Sequence, residues 1–598
     1  MFRHLRETFA QAPRTLALVW KSAPGTTAAL GGITLVAALL PLLIAYLGKR
    51  IIDAVVAGST TEALRWVLLE LAVVAAQALA LRGLGLIRST LGARLALDVN
   101  LLILEKAQTL DLRHFEDPTF YDQLTKARRE ASSRPISVVT ELFQLVQNAL
   151  TLAGYAVLLL QFSVLAVLGL LAATIPATIA EMRFSSLAFR LRNWRAPEGR
   201  KLNYLEHVLA NDGHAKEVQL FNLGPLFLRR YRTLGETLYR EDTALAKRRT
   251  VWAYLLSLLG TGAFYGCYAV LAIAAASGSI TIGELTLYVV AFRQGQQAFQ
   301  SILTAVGGMY EDNLYMSNLF LFLSIPTGVS SEGTLENRDI LPGTYAGEEG
   351  IRFEEVSFRY PDQERKALDG VSLFIPAGQS LALVGENGAG KTTFIKLLSR
   401  LYEPTEGRIF LDGRELSTWD AQALRRRIGV VFQDFNRYQL TVRENVGVGS
   451  VDHMEDDHRL EAAIERGGAA EVISALGQGL ETQLGRWFKS GAELSGGQWQ
   501  KVALARAFMR DESDILILDE PTAALDARAE AEVFDRFRAL ARGRTTIVIS
   551  HRFPTVRSAD RIIVIERGRV VEEGSHDELV ARDTRYRDLF TLQASGYR

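Results

Sequence analysis

The chain has 598 residues, of which 48% are hydrophobic, and its 67 basic and 67 acidic side chains leave no formal net charge at pH 7. This length exceeds that of a single domain, so at least two units with separate cores are expected. The charge balance gives no reason to expect nucleic acid as a partner, and the single cysteine, Cys267, excludes an intrachain disulfide and argues against a cysteine-based metal site.

The first half of the chain contains apolar segments long enough to cross a bilayer. A helix needs about 20 mostly apolar residues to span a hydrocarbon core of about 30 Å. Six segments meet this requirement: Thr27–Leu47, Ala63–Ile87, Ile136–Leu160, Ser163–Met182, Val251–Ser277 and Ile280–Ala305. No signal-peptide cleavage site follows the first of them, so it is predicted to remain as a span. The alternation of apolar and basic residues before it suits either an amphipathic helix on the membrane surface or an ordinary solvated helix.

Lysine and arginine are distributed unevenly between the segments that connect these spans. Residues 87–135 hold eight of them and residues 183–250 hold fourteen, whereas residues 48–61 hold two and the connections at 161–162 and 278–279 hold none. Because cytoplasmic loops carry the excess of positive charge, both termini are predicted to be cytoplasmic. The two long basic segments keep helical apolar spacing, so the spans are expected to continue into the cytoplasm as long helices.

Two of the predicted spans carry polar side chains three or four residues apart, on one face of a helix. These residues are Arg293, Gln296, Gln297 and Gln300 in the sixth span and Glu141, Gln144 and Asn148 in the third. Polar groups are costly in lipid unless they face protein or water. Either the two faces line a translocation cavity or they form hydrogen bonds between helices.

The second half of the chain has a different pattern. A polar, glycine-rich connector, residues 326–350, leads into residues 351–598, where apolar runs of four to six residues alternate with helical stretches. This alternation is typical of an α/β domain with a mostly parallel sheet.

A glycine-rich segment, GENGAGKTT, follows the apolar strand Leu381–Val384 and precedes a helical stretch. Strand, loop and helix in this order are the context in which a phosphate loop binds ATP. The glycines let backbone N–H groups surround phosphate oxygens, Lys391 adds positive charge and Thr392 offers a hydroxyl to Mg²⁺. The predicted nucleotide-binding residues of this loop are Gly385, Asn387, Gly388, Gly390, Lys391, Thr392 and Thr393.

Two acids stand at the end of a second apolar strand, Ile515–Leu518. Next to a phosphate loop, such a pair suits one carboxylate for the magnesium shell and one for the attacking water. Asp519 is predicted to take the first role and Glu520 the second.

The string LSGGQ, Leu494–Gln498, lies between the phosphate loop and this strand. Ser495, Gly496 and Gly497 begin a helix, so free N–H groups and the positive end of the helix dipole point ahead of it, ideally to a phosphate. LSGGQ at this place resembles the signature of ATP-binding cassette (ABC) proteins. With six spans before it, the chain resembles a half-transporter of the ABC exporter family.

The resemblance implies a membrane-embedded, all-α domain of six helices, residues 1–325, fused to an α/β P-loop nucleotide-binding domain of the ABC type, residues 351–598. It also implies an ATPase that uses ATP and Mg²⁺ and that moves a substrate across the membrane by alternating access. The membrane is expected to be a plasma membrane, which in bacteria is the inner membrane.

Further positions match residues with roles in that family. Tyr360 matches the aromatic residue that stacks on adenine, and Gln433 the glutamine that joins the magnesium site to the membrane half. Asp526 matches the acid that communicates between two sites, and His551 the histidine that holds the γ phosphate. The resemblance thus implies catalytic roles for Glu520, His551, Lys391 and Gln433, magnesium ligation by Thr392, Gln433 and Asp519, and nucleotide contacts from Tyr360, Asp526, Ser495, Gly496, Gly497 and Gln498.

In this family two nucleotide-binding domains sandwich two ATP molecules, each between the phosphate loop of one chain and LSGGQ of the other. Because Lys391, Glu520 and LSGGQ are all intact here, a homodimer is expected, with a heterodimer of two half-transporters as the alternative. Short helices that contact the nucleotide-binding domains are expected near Asp117–Gln123 and Leu205–Asp212.

The segment before the signature, LGRWFKSGAE at residues 484–493, departs from the Glu-Arg-Gly form found in many family exporters. Its LG-x-WF pattern resembles exporters of lanthionine-containing peptides, which favours an amphipathic cargo: a peptide, a lipid or a drug-like compound. An importer on the same architecture and an ATP-gated channel or sensor are the alternative hypotheses. The six spans exclude a soluble nucleic-acid ATPase of the cassette type.

Overall fold

The protein is represented by a computed structural model, which describes residues 9–117, 120, 123–125, 127–128, 134–162, 180, 183–184, 187, 190–191, 194–326, 349–361, 363–520, 543–550, 556–582 and 584–596. The chain forms two compact units. The first comprises Met1–Thr109 and Asp117–Pro326, and the second comprises Leu110–Glu116 and Thr327–Arg598. A short piece of the N-terminal half therefore belongs to the C-terminal unit.

The described part of the N-terminal half is helical. Its helices are α1 (Ala12–Ser22), α2 (Pro24–Val56), α3 (Thr60–Gln108), α4 (Leu112–Glu116), α5 (Arg134–Phe162), α6 (Ala196–Ala210), α7 (Asp212–Leu220), α8 (Gly224–Ala276) and α9 (Ile282–Leu323). All except α4 belong to the first unit.

Helices α2, α3, α5 and α8 are long and apolar enough to cross a membrane. Between 6% and 22% of the residues in their most apolar stretches are buried, so side chains such as Leu39, Leu68 and Leu79 face outward. These helices contain four of the six predicted spans, and the structure confirms that those four segments are helical and long enough. Most of the span predicted at Ser163–Met182 lies outside the described residues. The span predicted at Ile280–Ala305 falls largely in α9, which is not among the four described helices with a stretch apolar enough to cross a membrane.

Two helices of the first unit are much longer than a bilayer requires. Helix α3 has 49 residues and α8 has 53, which correspond to about 74 and 80 Å at 1.5 Å per residue. A hydrocarbon core is only about 30 Å thick. The prediction that the helices continue beyond their apolar spans is confirmed for α3 and α8.

Helix α5 packs against α9 and α2 within the first unit. The buried aromatic side chains Tyr155 and Phe292 form part of a common apolar cluster there. The hydroxyl of Thr151 donates to the backbone carbonyl oxygen of Ala38 at 3.0 Å, and a side chain at Gly154 would collide with Leu42. These two contacts require α5 and α2 to approach closely, as small residues allow in membrane proteins.

Short helices near Asp117–Gln123 and Leu205–Asp212 that contact the nucleotide-binding domains stay a prediction. The helix that joins the second unit is α4, Leu112–Glu116, which ends before the first of these ranges; part of that range is not described. Residues 205–210 complete α6, and the helix breaks at Asn211, whose side chain accepts a hydrogen bond from the N–H of Gly213 at 2.9 Å. The positions of helix breaks depend on such local caps.

The second unit is built on two sheets. Its strands are β1 (Gly350–Phe358), β2 (Leu368–Pro376), β3 (Ser380–Val384), β4 (Glu406–Leu411), β5 (Arg414–Glu415), β6 (Ile428–Val431), β7 (Ile515–Asp519), β8 (Thr545–Ile549), β9 (Arg561–Glu566) and β10 (Arg569–Gly574). Its further helices are α10 (Lys391–Leu398), α11 (Ala421–Arg426), α12 (Val442–Gly447), α13 (Asp457–Arg466), α14 (Ala470–Ser474), α15 (Gly496–Phe508), α16 (His576–Ala581) and α17 (Arg585–Gly596).

The larger sheet has the strand order β10-β9-β3-β8-β7-β6, and all its neighbours are parallel except β10 and β9. The smaller sheet, β2-β1-β4-β5, is antiparallel. Helix α10 and both sheets contribute to one apolar core, in which the ring of Phe394 stacks on Phe353 of β1 with 4.3 Å between centroids. Strand β8 lies between β3 and β7, so the carboxyl ends of these three parallel strands meet at one edge.

Candidate active site

The loop between β3 and α10 has backbone conformations that favour glycine. Gly388 and Gly390 have φ values of +76° and +110°, in the region that L side chains rarely adopt. A Cβ at Gly390 would also collide with the carbonyl oxygen of Ala367 and would lie 2.8 Å from the Leu368 side chain. The loop therefore keeps its shape only with glycine at position 390.

Lys391 is the first residue of α10 and is buried. Its ammonium group donates to the backbone carbonyl oxygens of Gly385 at 2.7 Å and Glu386 at 2.9 Å. Burial lowers the pKa of Lys391, while the nearby carboxylates of Glu520 and Asp519 oppose that effect. The cation is thus held inside the loop, where phosphate oxygens would approach.

Asp519 ends β7 and is only 2% exposed. Burial raises the pKa of Asp519 to about 6, although a hydrogen bond from the Thr392 hydroxyl, at 3.2 Å, opposes this shift. A buried carboxylate of this kind is stabilised in its charged form by a nearby cation. The hydroxyl of Thr392 and the carboxylate of Asp519 supply oxygen ligands, which Mg²⁺ prefers. The residues present fit a magnesium ion.

Glu520 follows directly and has a strained backbone, with φ at +49°. Its N–H donates to the carbonyl oxygen of Ile549 in β8 at 2.9 Å, and its carboxylate accepts from the side-chain amide of Gln433 at 2.8 Å. Left-handed backbone at a residue other than glycine costs about 1–3 kcal/mol and is concentrated at functional sites. The conformation turns the carboxylate of Glu520 to the same side as the phosphate loop.

These groups line one cavity of about 490 Å³ in the second unit. The predicted residues in its lining are Tyr360, Asn387, Gly388, Gly390, Lys391, Thr392, Thr393, Gln433, Asp519 and Glu520. The hydroxyl of Tyr360 lies 3.2 Å from that of Thr393, which places the aromatic ring beside the loop. One cavity therefore combines an aromatic side chain, a phosphate-binding loop and two carboxylates.

Sequence reasoning missed four residues of this cavity, which are Gln363, Arg365, Lys366 and Ala367. They belong to the connection between β1 and β2, which carries no motif. The N–H of Ala367 donates to the carbonyl oxygen of Phe358 at 2.8 Å, and this contact brings the connection over Gly390. Only the pairing of the two strands reveals that these residues lie near the loop.

The residues of LSGGQ do not line this cavity. Ser495 caps the N-terminus of α15 in a reciprocal arrangement, in which its N–H donates to Gln498 Oε1 at 2.8 Å and its hydroxyl accepts from the N–H of Gln498 at 3.3 Å. Gly496 and Gly497 form the first turn of that helix. The predicted residues Asp526 and His551 lie outside the described part of the chain.

Glu116 of α4 contacts side chains next to Tyr360, a residue of the cavity lining. Its carboxylate accepts a hydrogen bond from the ammonium group of Lys396 at 2.8 Å and another from the hydroxyl of Tyr402. Burial opposes ionisation of Glu116, but these two hydrogen bonds prevail and lower its pKa. The Lys396 ammonium also lies 5.4 Å from the ring centroid of Tyr360, within the range of a cation–π interaction.

Comparison with known proteins identifies the family. Residues 368–523 match the family model described as ABC transporter. The chain is 33% identical over 493 residues to the subtilin transport ATP-binding protein SpaT of Bacillus subtilis, covering 82% of this chain and 79% of the relative. It is 31% identical over 574 residues to an ATP-dependent lipid A-core flippase of Thiobacillus denitrificans, covering 94% and 95%.

A solved structure of a bacterial Atm1-family ABC exporter with ATP bound is similar over 95% of this chain and 98% of that chain, with a TM-score of 0.78 and 26% identity. The chain therefore belongs to the ABC transporter family and has the architecture of its ATP-driven exporters and flippases. The predicted fold class, an all-α membrane domain fused to an ABC-type nucleotide-binding domain, is confirmed, and so is the ATPase class. The comparisons do not favour an importer or a channel.

The geometry of the loop predicts that Gly390→Ala weakens ATP binding. The added methyl group meets backbone at Ala367, and such overpacking costs about 1–3 kcal/mol, equivalent to a loss of about 5- to 150-fold in affinity. Equilibrium binding of a fluorescent ATP analogue to the purified chain measures this loss. Gly378→Ala is the matched control, since Gly378 has φ at +77° but open space around it. Equal affinities for the two variants would contradict the argument.

Proposed function

We propose that the chain is one half of a homodimer that hydrolyses ATP, with Mg²⁺ as cofactor, to export an amphipathic substrate across the bacterial inner membrane. The observation that carries this proposal is the cavity that joins the phosphate loop to Asp519 and Glu520 while LSGGQ lies elsewhere. Similar proteins named for subtilin transport, nisin transport and lipid A-core flipping support a cargo among peptides and lipids. A drug-like compound belongs to the same amphipathic class.

The site residues take the following roles in this proposal. Tyr360 stacks on adenine, and Lys391 with the loop N–H groups binds the β and γ phosphates. Glu520, oriented by Gln433, accepts the proton of the water that attacks the γ phosphate. Thr392, Asp519 and Gln433 would hold Mg²⁺, which when bound would neutralise charge on the phosphates. His551 and Asp526 complete the site by family resemblance alone.

Replacement of the proposed base tests this assignment. We expect Glu520→Gln to reduce ATP turnover by about 10²- to 10⁴-fold, which is the usual contribution of a general base, while ATP binding persists. The measurement is phosphate release by the full chain in lipid nanodiscs, together with nucleotide binding. Glu512→Gln, a change at an exposed acid of the same unit, serves as control. A variant with nearly normal turnover would exclude Glu520 as the base.

The homodimer follows from the separation of the two nucleotide-binding elements. A helix N-terminus stabilises phosphate only when it points directly at it, and α15 starts outside the cavity. A second chain would bring its own LSGGQ to the loop of the first. An isologous, twofold arrangement then creates two equivalent sites.

A complementation experiment separates this arrangement from a site formed within one chain. Neither Lys391→Ala nor Ser495→Arg should hydrolyse ATP as a homodimer. If LSGGQ acts in trans, a mixed dimer has one site with both elements intact, and turnover recovers to at most about half of the wild-type value when the two sites are independent. Two affinity tags isolate the mixed dimer from co-expressing cells. No recovery would indicate that both elements act within one chain.

Two further expectations complete the proposal. Both termini lie in the cytoplasm, because residues 87–135 and 183–250 carry the excess of lysine and arginine. We also expect the membrane domain to comprise residues 1–325 and the nucleotide-binding domain residues 351–598. Helix α4 lies in the first of these ranges but belongs to the nucleotide-binding unit.

Coupling between ATP and transport is proposed to pass through Glu116. The chain leaves α3 of the first unit directly into α4, and Glu116 of α4 holds Lys396 over the ring of Tyr360. A change in how adenine stacks on Tyr360 would therefore shift the position of Lys396 and, through Glu116, the position of the end of α3. In the family, binding of ATP at two sites shifts the equilibrium between two orientations of the cavity.

We expect Glu116→Gln to lower the amount of substrate transported per ATP hydrolysed, because the ion pair with Lys396 is lost while the ATP cavity stays intact. Proteoliposomes that report ATP hydrolysis and cargo accumulation together provide the measurement. Glu105→Gln alters an exposed acid of α3 and should leave the ratio unchanged. The charge-swapped pair Glu116→Lys with Lys396→Glu should restore it in part. An unchanged ratio in Glu116→Gln would refute the coupling role.

A further inference from the structure

A second cavity lies inside the first unit, among α3, α5 and α9, and has a volume of about 680 Å³. Each helix contributes residues with helical spacing, so one face of each helix points into it. Its lining comprises Leu81, Leu84, Gly85 and Arg88 of α3, Glu141, Gln144, Gln147 and Asn148 of α5, and Gln297, Gln300, Ser301, Thr304 and Ala305 of α9. The volume is within the range of small-molecule sites.

The structure thus brings together five of the seven polar residues singled out in the spans: Glu141, Gln144, Asn148, Gln297 and Gln300. Arg293 and Gln296 are not part of the lining. The side-chain amide of Asn148 donates to the carbonyl oxygen of Gln144 in its own helix, at 2.8 Å. Of the two interpretations of these polar faces, a shared cavity accounts for more of the residues than hydrogen bonding between helices.

The described residues of the lining include one cation and one anion, Arg88 and Glu141. A side chain at Gly308 of α9 would occupy the position of the Glu141 carboxylate, so this acid lies directly against the α9 backbone. The Nε atom of Arg88 is buried and has no hydrogen-bond partner within the described part of the chain. The formal charge of the described lining is therefore zero, and one guanidinium N–H remains for a ligand.

The other polar groups of the lining are five side-chain amides and two hydroxyls. Each amide both donates and accepts hydrogen bonds, which is the pattern that a peptide backbone also presents. A phosphate headgroup, in contrast, is recognised by several cations or by bidentate arginine contacts. A single arginine with a carboxylate in the same lining is a poor match for a phosphate.

We infer that this cavity binds an uncharged, amide-rich segment of the cargo, such as a stretch of peptide backbone with polar uncharged side chains, in preference to a phosphorylated lipid headgroup. The inference rests on the proposed export function and names the substrate class. The lining residues of the second and third predicted spans fall at the ends that border the basic segment 87–135, and those of the sixth span fall at its C-terminal end, which leads to the connector 326–350. With the proposed orientation, cargo enters this cavity from the cytoplasmic side.

The test measures binding without hydrolysis, so that a failure of the transport proposal and a failure of this inference can be told apart. The Glu520→Gln chain, in nanodiscs of uncharged lipid, is titrated with two probes: an amphipathic peptide with capped ends and no charged side chains, and a short-chain phosphatidic acid. We expect the peptide to bind at least tenfold more tightly. Tighter binding of the phosphatidic acid would overturn the inference, whether or not the wild-type chain hydrolyses ATP.

Substitutions then locate the site. Gln297→Leu with Gln300→Leu removes two amides and should weaken peptide binding by about tenfold, which corresponds to two hydrogen bonds of ordinary strength. Gln294→Leu is the control on the same helix, because Gln294 is exposed and lies outside the lining. Gln144→Leu on α5 provides a second variant should the double change impair folding. Peptide affinity that is unaffected in both lining variants would refute the site.

The charged pair gives an independent readout. Glu141→Gln leaves the lining with a net positive charge, so binding of phosphatidic acid should strengthen by several-fold while the peptide changes little. Arg88→Gln should have the opposite effect on phosphatidic acid. Equal responses of both probes to both variants would show that charge balance in this cavity does not select the cargo.

Discussion

Parallel pairing of β3 and β7 with β8 is the constraint on which the nucleotide-binding unit depends. The strands fix how far the phosphate loop, which follows β3, lies from Asp519 and Glu520 at the end of β7. The hydrogen bond between Thr392 and Asp519 spans the same gap. Hydrogen bonds between the main chains of these strands hold the elements in place, so the positions of the charged groups do not depend on flexible side chains alone. The same hydrogen bonds allow Glu520 to keep a strained backbone.

The same constraint explains which parts of the cavity could be predicted from sequence. The loop and the two acids are contiguous with their strands, so local pattern was sufficient to name Lys391, Thr392, Asp519 and Glu520. Gln363, Arg365, Lys366 and Ala367 come from a connection without a motif, and they reach the cavity through pairing between distant strands. The roles of all these residues stay predictions, and Asp526 and His551 lie outside the described residues.

The membrane half shows a similar division between local pattern and packing. Hydrophobic length identified the four spans in α2, α3, α5 and α8, since crossing a bilayer is a demand on composition. Helical spacing also grouped Glu141 with Gln144, and Gln297 with Gln300. The sequence does not show whether these two groups face each other, and it does not show that Arg88 of α3 lies beside them. Both facts depend on how three helices pack. The ends of short helices such as α4 are harder to predict than the spans, because local caps set them.

The membership of Leu110–Glu116 in the second unit means that the two units are interleaved along the chain. No single cut yields both of them whole. A fragment that starts at residue 349 would lack α4, and it would leave Lys396 and Tyr402 without Glu116 and the apolar cluster without Leu112. An excised nucleotide-binding domain is therefore a truncated one, and the ring of Tyr360 would lie beside a lysine that has lost its counterion.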